Sequence, residues 1–402
     1  MSGVESVEFY LPDSVLEGAA KRPFGIYIHV PFCAVRCGYC DFNTYTATEL
    51  GGGGSQAEYP DNAAREMKFA AQAMSDRGLP ERAVSTVFFG GGTPTLLPVD
   101  DLTNLLQAVG DAWPISDDVE VTTEANPDSV TPEALQELAS AGFTRVSFGM
   151  QSAVPHVLAT LDRTHDPRRI PQVVRWAKDA GLQVSLDLIY GTPGESVDDW
   201  QESIGTALAC DVDHISAYAL VIEAGTKMAR QVRRGEISGT DDDDLAEKYE
   251  LADAAFSEAG LSWYEISNWA RSDANYCWHN MNYWRGGDWW GIGPGAHSHI
   301  GGTRWWNVKH PSQYAAKLAS SDGSPVAGLE IVDAEARHLE EVMLRTRLSE
   351  GMRRDVLPCA ASGEVDALVN EGLIESEEAA RGNLVLTMRG RLLADLVVAR
   401  LT

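Results

Sequence analysis

Six short β-rich runs, separated by helical stretches, limit what this chain can fold into more than any other feature of its sequence. The runs are "FGIYIHV" from residue 24, "VSTVFFG" from 84, "DVEVTTE" from 118, "TRVSFGM" from 144, "QVSLDLIYG" from 183 and "DHISAYAL" from 213. Between them, "TPEALQELASAG" puts Pro132 at the first helical position and Gly142 at the end. "SVDDWQESIGTALA" carries acids in its first turn, where they meet the positive end of the helix dipole. Strands alternating with helices call for an α/β fold: a parallel sheet with right-handed crossovers, either open and doubly wound or curved into a partial barrel. In both forms ligands gather at the C-terminal edge of the strands.

The unusual residues fall at that edge. "HVPFCAVRCGYCDF" follows the first strand and packs Cys33, Cys37 and Cys40 into one loop. "GGGTP", residues 90–94, follows the second; Glu124 ends the third, Gln151 follows the fourth and Asp187 lies in the fifth. Three thiolates are one short for a structural zinc, which wants four ligands. Recruiting His29 or Asp41 as the fourth would strain tetrahedral closure, because one lies on the preceding strand and the other adjoins Cys40. The same three thiolates suit a [4Fe–4S] cluster whose fourth iron stays open. A molecule with an amino and a carboxylate group, such as S-adenosylmethionine, can chelate that iron. The triple glycine alone reads as a tight turn, and Glu124, Arg163 and Asp187 alone read as salt-bridge partners. Their shared edge favours ligand contacts, with the glycine backbone approaching closely. Cys210, Cys277 and Cys359 are too scattered for a disulfide framework and read as small buried hydrophobes.

Charge narrows the partners. With 59 acids against 32 bases the chain carries a net −27, which repels nucleic acid and bare anionic membrane. No basic and then apolar leader opens the chain and no apolar run approaches a membrane span, so the expected place is the cytoplasm. "GGGGS" at 51–55 reads as a flexible insertion, and "DDDD" at 241–244 as the solvated start of a helix. Beyond residue 260 the texture changes: Trp263 to Trp306 holds eight of the eleven tryptophans. The last stretch changes again, to amphipathic helices and a hairpin-like "RGNLVLTMRG", an order similar to a winged helix. Its nine Arg and no Lys against thirteen acids from residue 331 onward favour a structural or protein-contacting module over a DNA reader.

The Cys-x3-Cys-x2-Cys loop with Tyr39 before its last cysteine, together with "GGGTP", resembles the radical S-adenosylmethionine (SAM) superfamily. "YIHVPFC", "FFGGGTPTLL", "EANPDSV", "RVSFGMQS" and "SLDLIYGTPGE" are similar to the subgroup of oxygen-independent coproporphyrinogen III oxidases (HemN) and the related HemW proteins. The resemblance runs from about residue 24 to the C-terminus. It implies a partial (β/α)6 barrel of the TIM type with a smaller HemN-type, winged-helix-like C-terminal domain. The expected division is an N-terminal extension over 1–20, a core over 21–320 and a C-terminal domain over 321–402.

Carried over by motif, Cys33, Cys37 and Cys40 would hold the cluster, and Tyr27, Gly91 and Glu124 would touch the SAM bound to it. Gly92, Thr93, Gln151, Arg163 and Asp187 match positions that hold a second SAM in the oxidase. The oxidase motif continues to a further cysteine, where this chain has Phe42, as HemW proteins do. The resemblance therefore implies a heme chaperone that passes heme to membrane respiratory proteins, with little or no oxidase activity. The alternative is an oxidase that decarboxylates coproporphyrinogen III propionates. "HNMNYW", from His279, is similar to a stretch typical of HemW. Imidazole is the usual axial ligand of heme iron, which makes His279 the first candidate and His297 and His299 the alternatives. A lone histidine among tryptophans also reads as a satisfied core residue.

Overall fold

All six runs form strands, paired in parallel in the order of the sequence. The computed structural model describes residues 9–50, 56–321, 323–358 and 361–402. In it β1 is Phe24–Val30, β2 Val84–Gly91, β3 Ile115–Ala125, β4 Arg145–Gln151, β5 Gln183–Tyr190 and β6 His214–Ala219. The GGGGS stretch and Cys359 lie outside the described residues. β1 is buried along nearly its whole length, as a parallel strand covered on both faces must be. The crossover helices start where their caps dictate. Thr131 accepts the Ala134 N–H at the head of Pro132–Ser140, and Ser196 with Asp199 forms a full capping box on Val197–Ala209. Asp241 accepts the amides of Asp243 and Asp244, so the acidic run does open a helix, Asp242–Glu258.

The tryptophan-rich segment extends the same sheet, which the sequence reading did not anticipate. β7 (Ser262–Glu265) and β8 (Asn268–Ala270) pair antiparallel beyond β6, while β9 (Asp288–Ile292) lies parallel to β1 on its free side. β10 (His297–Ile300), β11 (Thr303–Asn307) and β12 (Val326–Ile331) follow antiparallel, giving the order β12-β11-β10-β9-β1-β2-β3-β4-β5-β6-β8-β7. The two ends, β12 and β7, do not pair, so the barrel is partial, as the resemblance implied. Trp269, Trp290 and Trp305 are fully buried, and the last two meet edge to face at 4.7 Å. Buried Asp288 anchors the new strands to the start of the chain through Arg22 at 2.9 Å and Arg82 at 2.6 Å.

The C-terminal elements, from the helix Ala334–Arg345 onward, gather a small core of their own around Val342, Leu368, Leu384 and Val397. The hairpin expected within "RGNLVLTMRG" is not there. β14 (Asn383–Leu384) pairs instead with β13 (Met352–Arg353), and Thr387 caps a helix that begins at Met388. The Thr387 side chain takes the Gly390 amide, which turns the segment helical before it can fold back. Among the described residues no helix is long and apolar enough to cross a membrane.

Candidate functional site

The curved sheet encloses a cavity of about 700 Å³ that receives side chains from β1 through β6. Every site residue singled out above except His297 and His299 lines it: Tyr27, the three cysteines, Phe42, Gly91, Gly92, Thr93, Glu124, Gln151, Arg163, Asp187 and His279.

The cysteine loop leaves β1 and is pinned at its far end. Asn43 Nδ2 donates to the carbonyls of Pro294 and Lys309 at 2.9 and 2.8 Å. Cys33, Cys37 and Cys40 are free and half-buried. Burial, then the neighbouring Cys40 and Cys37, push the Cys33 thiol up to about 11, and all three cysteines line the cavity. Among the described residues no three His, Cys, Asp or Glu side chains stand close enough to ligate one metal ion. His29 is not available as a fourth ligand. Its Nε2 donates to the Asn43 carbonyl at 2.9 Å, which leaves Nδ1 to accept the Tyr27 hydroxyl at 3.0 Å. Three soft sulfur donors, with no fourth ligand beside them among the described residues, fit a cluster with an open iron.

The glycine loop meets this base through backbone alone. Gly92 and Thr93 donate their amides to the carbonyls of Val30 and Phe32, both at 2.8 Å. A Cβ on Gly92 would collide with those same carbonyl oxygens, which is why glycine stands there. Glu124 accepts the Gly91 amide and, among the described residues, pairs with no cation. Burial, reinforced by Asp187, lifts its carboxyl to about 8. Asp187 takes the Ser147 hydroxyl on both oxygens, at 2.9 and 2.8 Å, and burial raises it too. Arg163 donates to the Gly149 carbonyl at 2.9 Å and reaches Cys37 Sγ at 3.8 Å; its Nε is buried without a partner. Gln151 sits at φ 59°, a left-handed conformation that a side-chain-bearing residue rarely adopts. The buried Glu124 carboxylate, beside a backbone amide and with no cation next to it among the described residues, suits a ligand with an ammonium group, whereas Asp187 already feels Arg145 and Arg163.

The helix Trp278–Trp284, which carries HNMNYW, closes the cavity from the other end. Glu120 on β3 accepts the amides of Trp278 and His279 at 2.9 and 3.0 Å and so caps it. His279 is 1% exposed, with Nδ1 at 2.8 Å from Thr86 Oγ1 and Nε2 at 2.7 Å from the Tyr283 hydroxyl. Burial lowers its pKa to about 3. Both ring nitrogens are thus engaged, as in a satisfied core histidine. Cys277 beside it is buried, and its thiol is pushed up to about 12 by burial and then by Glu120.

Several lining residues escaped the sequence reading: Glu120, Thr122, Arg145, Ser185, His214, Ser216 and Tyr218. Their signal was present as polar side chains at every second position of β3 to β6, the period of one strand face. Phe42, 59% exposed, stands with Val35, Tyr218 and Val221 among the exposed apolar residues lining the cavity.

A family model described as the radical SAM superfamily matches residues 27–207. A protein named heme chaperone HemW from Mycobacterium tuberculosis is 51% identical over 381 residues, which cover 94% of this chain and 95% of that one. Its namesake from Bacillus subtilis is 33% identical over 381 residues, covering 92% and 97%. Among solved structures, coproporphyrinogen III oxidase (HemN) from Escherichia coli matches 98% of this chain and 93% of its own, with a TM-score of 0.80. At 20% identity that match is a likeness of fold.

Proposed function

Because the chain belongs to the HemW family of the radical SAM superfamily, we propose that it is a heme chaperone carrying one [4Fe–4S] cluster and SAM. The observation that carries this reading is the cysteine loop with three inward thiols and Phe42 where the oxidase motif has another cysteine.

In this proposal Cys33, Cys37 and Cys40 hold the cluster. A reduced cluster of this type supplies one electron to the sulfonium of bound SAM. The chain does the rest. Glu124 faces the ligand's ammonium, the Gly91 backbone lies beside it, and Tyr27, fixed by His29, forms a wall of the pocket. Gly92, Thr93, Gln151, Arg163 and Asp187 line the space next to it, where a second SAM or another polar ligand fits. Heme binds separately and passes to respiratory proteins of the membrane.

Anaerobic reconstitution tests the cluster: about four irons and four sulfides per chain are expected, lost in Cys33→Ala, Cys37→Ala or Cys40→Ala and kept in Cys210→Ala. A zinc-loaded, sulfide-free protein would overturn it. A hemin titration run beside an anaerobic coproporphyrinogen III assay tests the function. Stoichiometric heme with negligible turnover is expected, and robust turnover would establish an oxidase instead.

A further inference from the structure

At the floor of the cavity a cation stands without an anion. Arg145, the first residue of β4, is 3% exposed and lines the cavity. Its Nη1 donates to the Asn275 carbonyl at 2.8 Å, and among the described residues no carboxylate comes within ion-pair distance of its guanidinium. The two acids whose charge reaches it are otherwise engaged. Glu120 accepts the Trp278 and His279 amides, and Asp187 accepts the Ser147 hydroxyl on both oxygens. The neighbouring Cys277 supplies no charge, since burial and then Glu120 keep its thiol protonated. A guanidinium buried this deeply is costly unless something negative meets it.

Polar groups around it are short of partners in the same way. Thr122 on β3 pairs with Arg145 in the sheet and is fully buried, and its Oγ1 has no hydrogen-bond partner among the described residues. On β5, Ser185 stands two residues beyond Gln183, the partner of Arg145, and so shares its sheet face. Ser185 Oγ lies 2.7 Å from His214 Nδ1, and His214 Nε2 lies 2.7 Å from the Tyr264 hydroxyl, which accepts the Cys277 amide at 3.2 Å. Burial and then Arg145 keep the His214 ring neutral, so it carries one proton. One arrangement leaves no buried donor unused: Tyr264 donates to Nε2, and Nδ1 donates to Ser185. The Ser185 hydroxyl then keeps its own proton for the cavity, which it also lines.

We infer that this floor is an anion site, in which Arg145 and Ser185 take a carboxylate of a ligand other than the SAM proposed above. Depth separates the two ligands. Glu124 pairs with Ser147, two residues further along β4 than Arg145, so the cluster end of the cavity lies above the floor. A SAM molecule that chelates iron through its amino and carboxylate groups has no carboxylate left to reach down. The guanidinium offers a planar fork of donors that matches a carboxylate, and Ser185 adds a further one. The helix Trp278–Trp284 borders the same floor, so the carboxylate comes either from a heme propionate or from a separate small acid. Only the naming of these sources rests on the reading above; the anion site stands on Arg145 and Ser185.

Isothermal titration of the full-length, anaerobically reconstituted protein with sodium acetate, at constant ionic strength, measures the site directly. Arg145→Gln is expected to bind acetate about tenfold more weakly and Ser185→Ala about threefold, with Arg145→Lys recovering part of the loss. Circular dichroism confirms the fold of each variant. Ser185→Ala removes a single oxygen and carries the test should Arg145→Gln unfold. SAM affinity is expected to stay unchanged in all of them. Hemin and its dimethyl ester identify the source. A preference for hemin that vanishes in Arg145→Gln assigns the floor to a propionate, and equal binding assigns it to a separate acid. Acetate binding that is absent from the wild type, or equal in every folded variant, would overturn the anion site. A loss of SAM affinity matching that of acetate would overturn it too, because SAM's own carboxylate would then be the occupant. A wild type that binds acetate but neither SAM nor hemin would overturn the reading above and leave this site standing.

Discussion

Gly91 donates its backbone N–H to Glu124 Oε2 across 3.1 Å, so the ends of β2 and β3 hold one another at the place proposed for the amino group of SAM. The contact depends on a backbone that only glycine adopts easily. Gly91 has φ 103°, and a Cβ on it would run into the His29 imidazole.

Gly91→Ala is therefore expected to lower stability by about 1–3 kcal/mol, the cost of a strained backbone position. It should also weaken SAM binding while the cluster is retained. A thermal melt, an iron determination and an equilibrium binding measurement check the three parts. Unchanged melting and affinity would remove Gly91 from the site.

Glu124 sets the pH dependence of the same site. With its carboxyl held up at about 8, the empty pocket is largely protonated at neutral pH. An ammonium ligand needs the carboxylate, so binding must expel that proton. Affinity for SAM is expected to rise with pH up to about 8, by as much as about tenfold per unit. Glu124→Gln should be weaker and flat over this range. A wild-type profile without slope between pH 6.5 and 8 counts against the contact.

His279 makes the opposite kind of prediction, about folding. It is a base whose pKa falls from 6.5 to about 3 on burial, so below 6.5 the unfolded chain takes up a proton that the folded one refuses. Stability contributed by the neutral ring is present above pH 6.5 and is lost as pH falls toward 3. The slope is about 1.4 kcal/mol per pH unit. His279→Asn should be less stable at neutral pH and show a shallower decline between pH 6 and 4 in denaturant titrations. Parallel pH profiles for the two proteins would show that the ring is not held neutral by the fold.

Lys248 is fully buried, 3.2 Å from Glu195 Oε2 and 2.8 Å from Asp244 Oδ2. Glu195 also accepts the Gly191 amide at 2.7 Å, so this acid of the "GTPGE" motif shapes the turn after β5. Removing one partner strands the other's charge. Lys248→Ala is expected to cost about 3–5 kcal/mol, and the double variant with Glu195→Ala less than the sum of the singles. Urea denaturation of the four proteins measures both; simple additivity would deny the coupling.

The parallel strands and the cavity edge were legible because each signal is local. A β-rich run, a cap such as Ser196 or Asp241, and a cysteine spacing are all read within a dozen residues. β9 to β11 were not legible, since short strands built largely from Trp, Gly and His show no clear alternation, and β9 takes its place by pairing with the distant β1. The absent hairpin at Arg381–Gly390 has the same cause, because β14 pairs with a segment some thirty residues earlier. His279 shows the limit for sites. The sequence places an imidazole among aromatics, but only the positions of Thr86 and Tyr283 reveal that both nitrogens are taken.

The place of β1 in the sheet has a consequence for the order of events during synthesis. Phe24 pairs with Val84 on one side but with Asp288 on the other. A ribosome adding about 5–20 residues per second leaves that second edge waiting for some tens of seconds. The wait extends to the cysteine loop, since Asn43 cannot close its bonds to Pro294 and Lys309 until both have been made. Translation must run past residue 309 before the loop can acquire its final shape, so a cluster of the kind proposed would enter that shape only after about three quarters of the chain has been made.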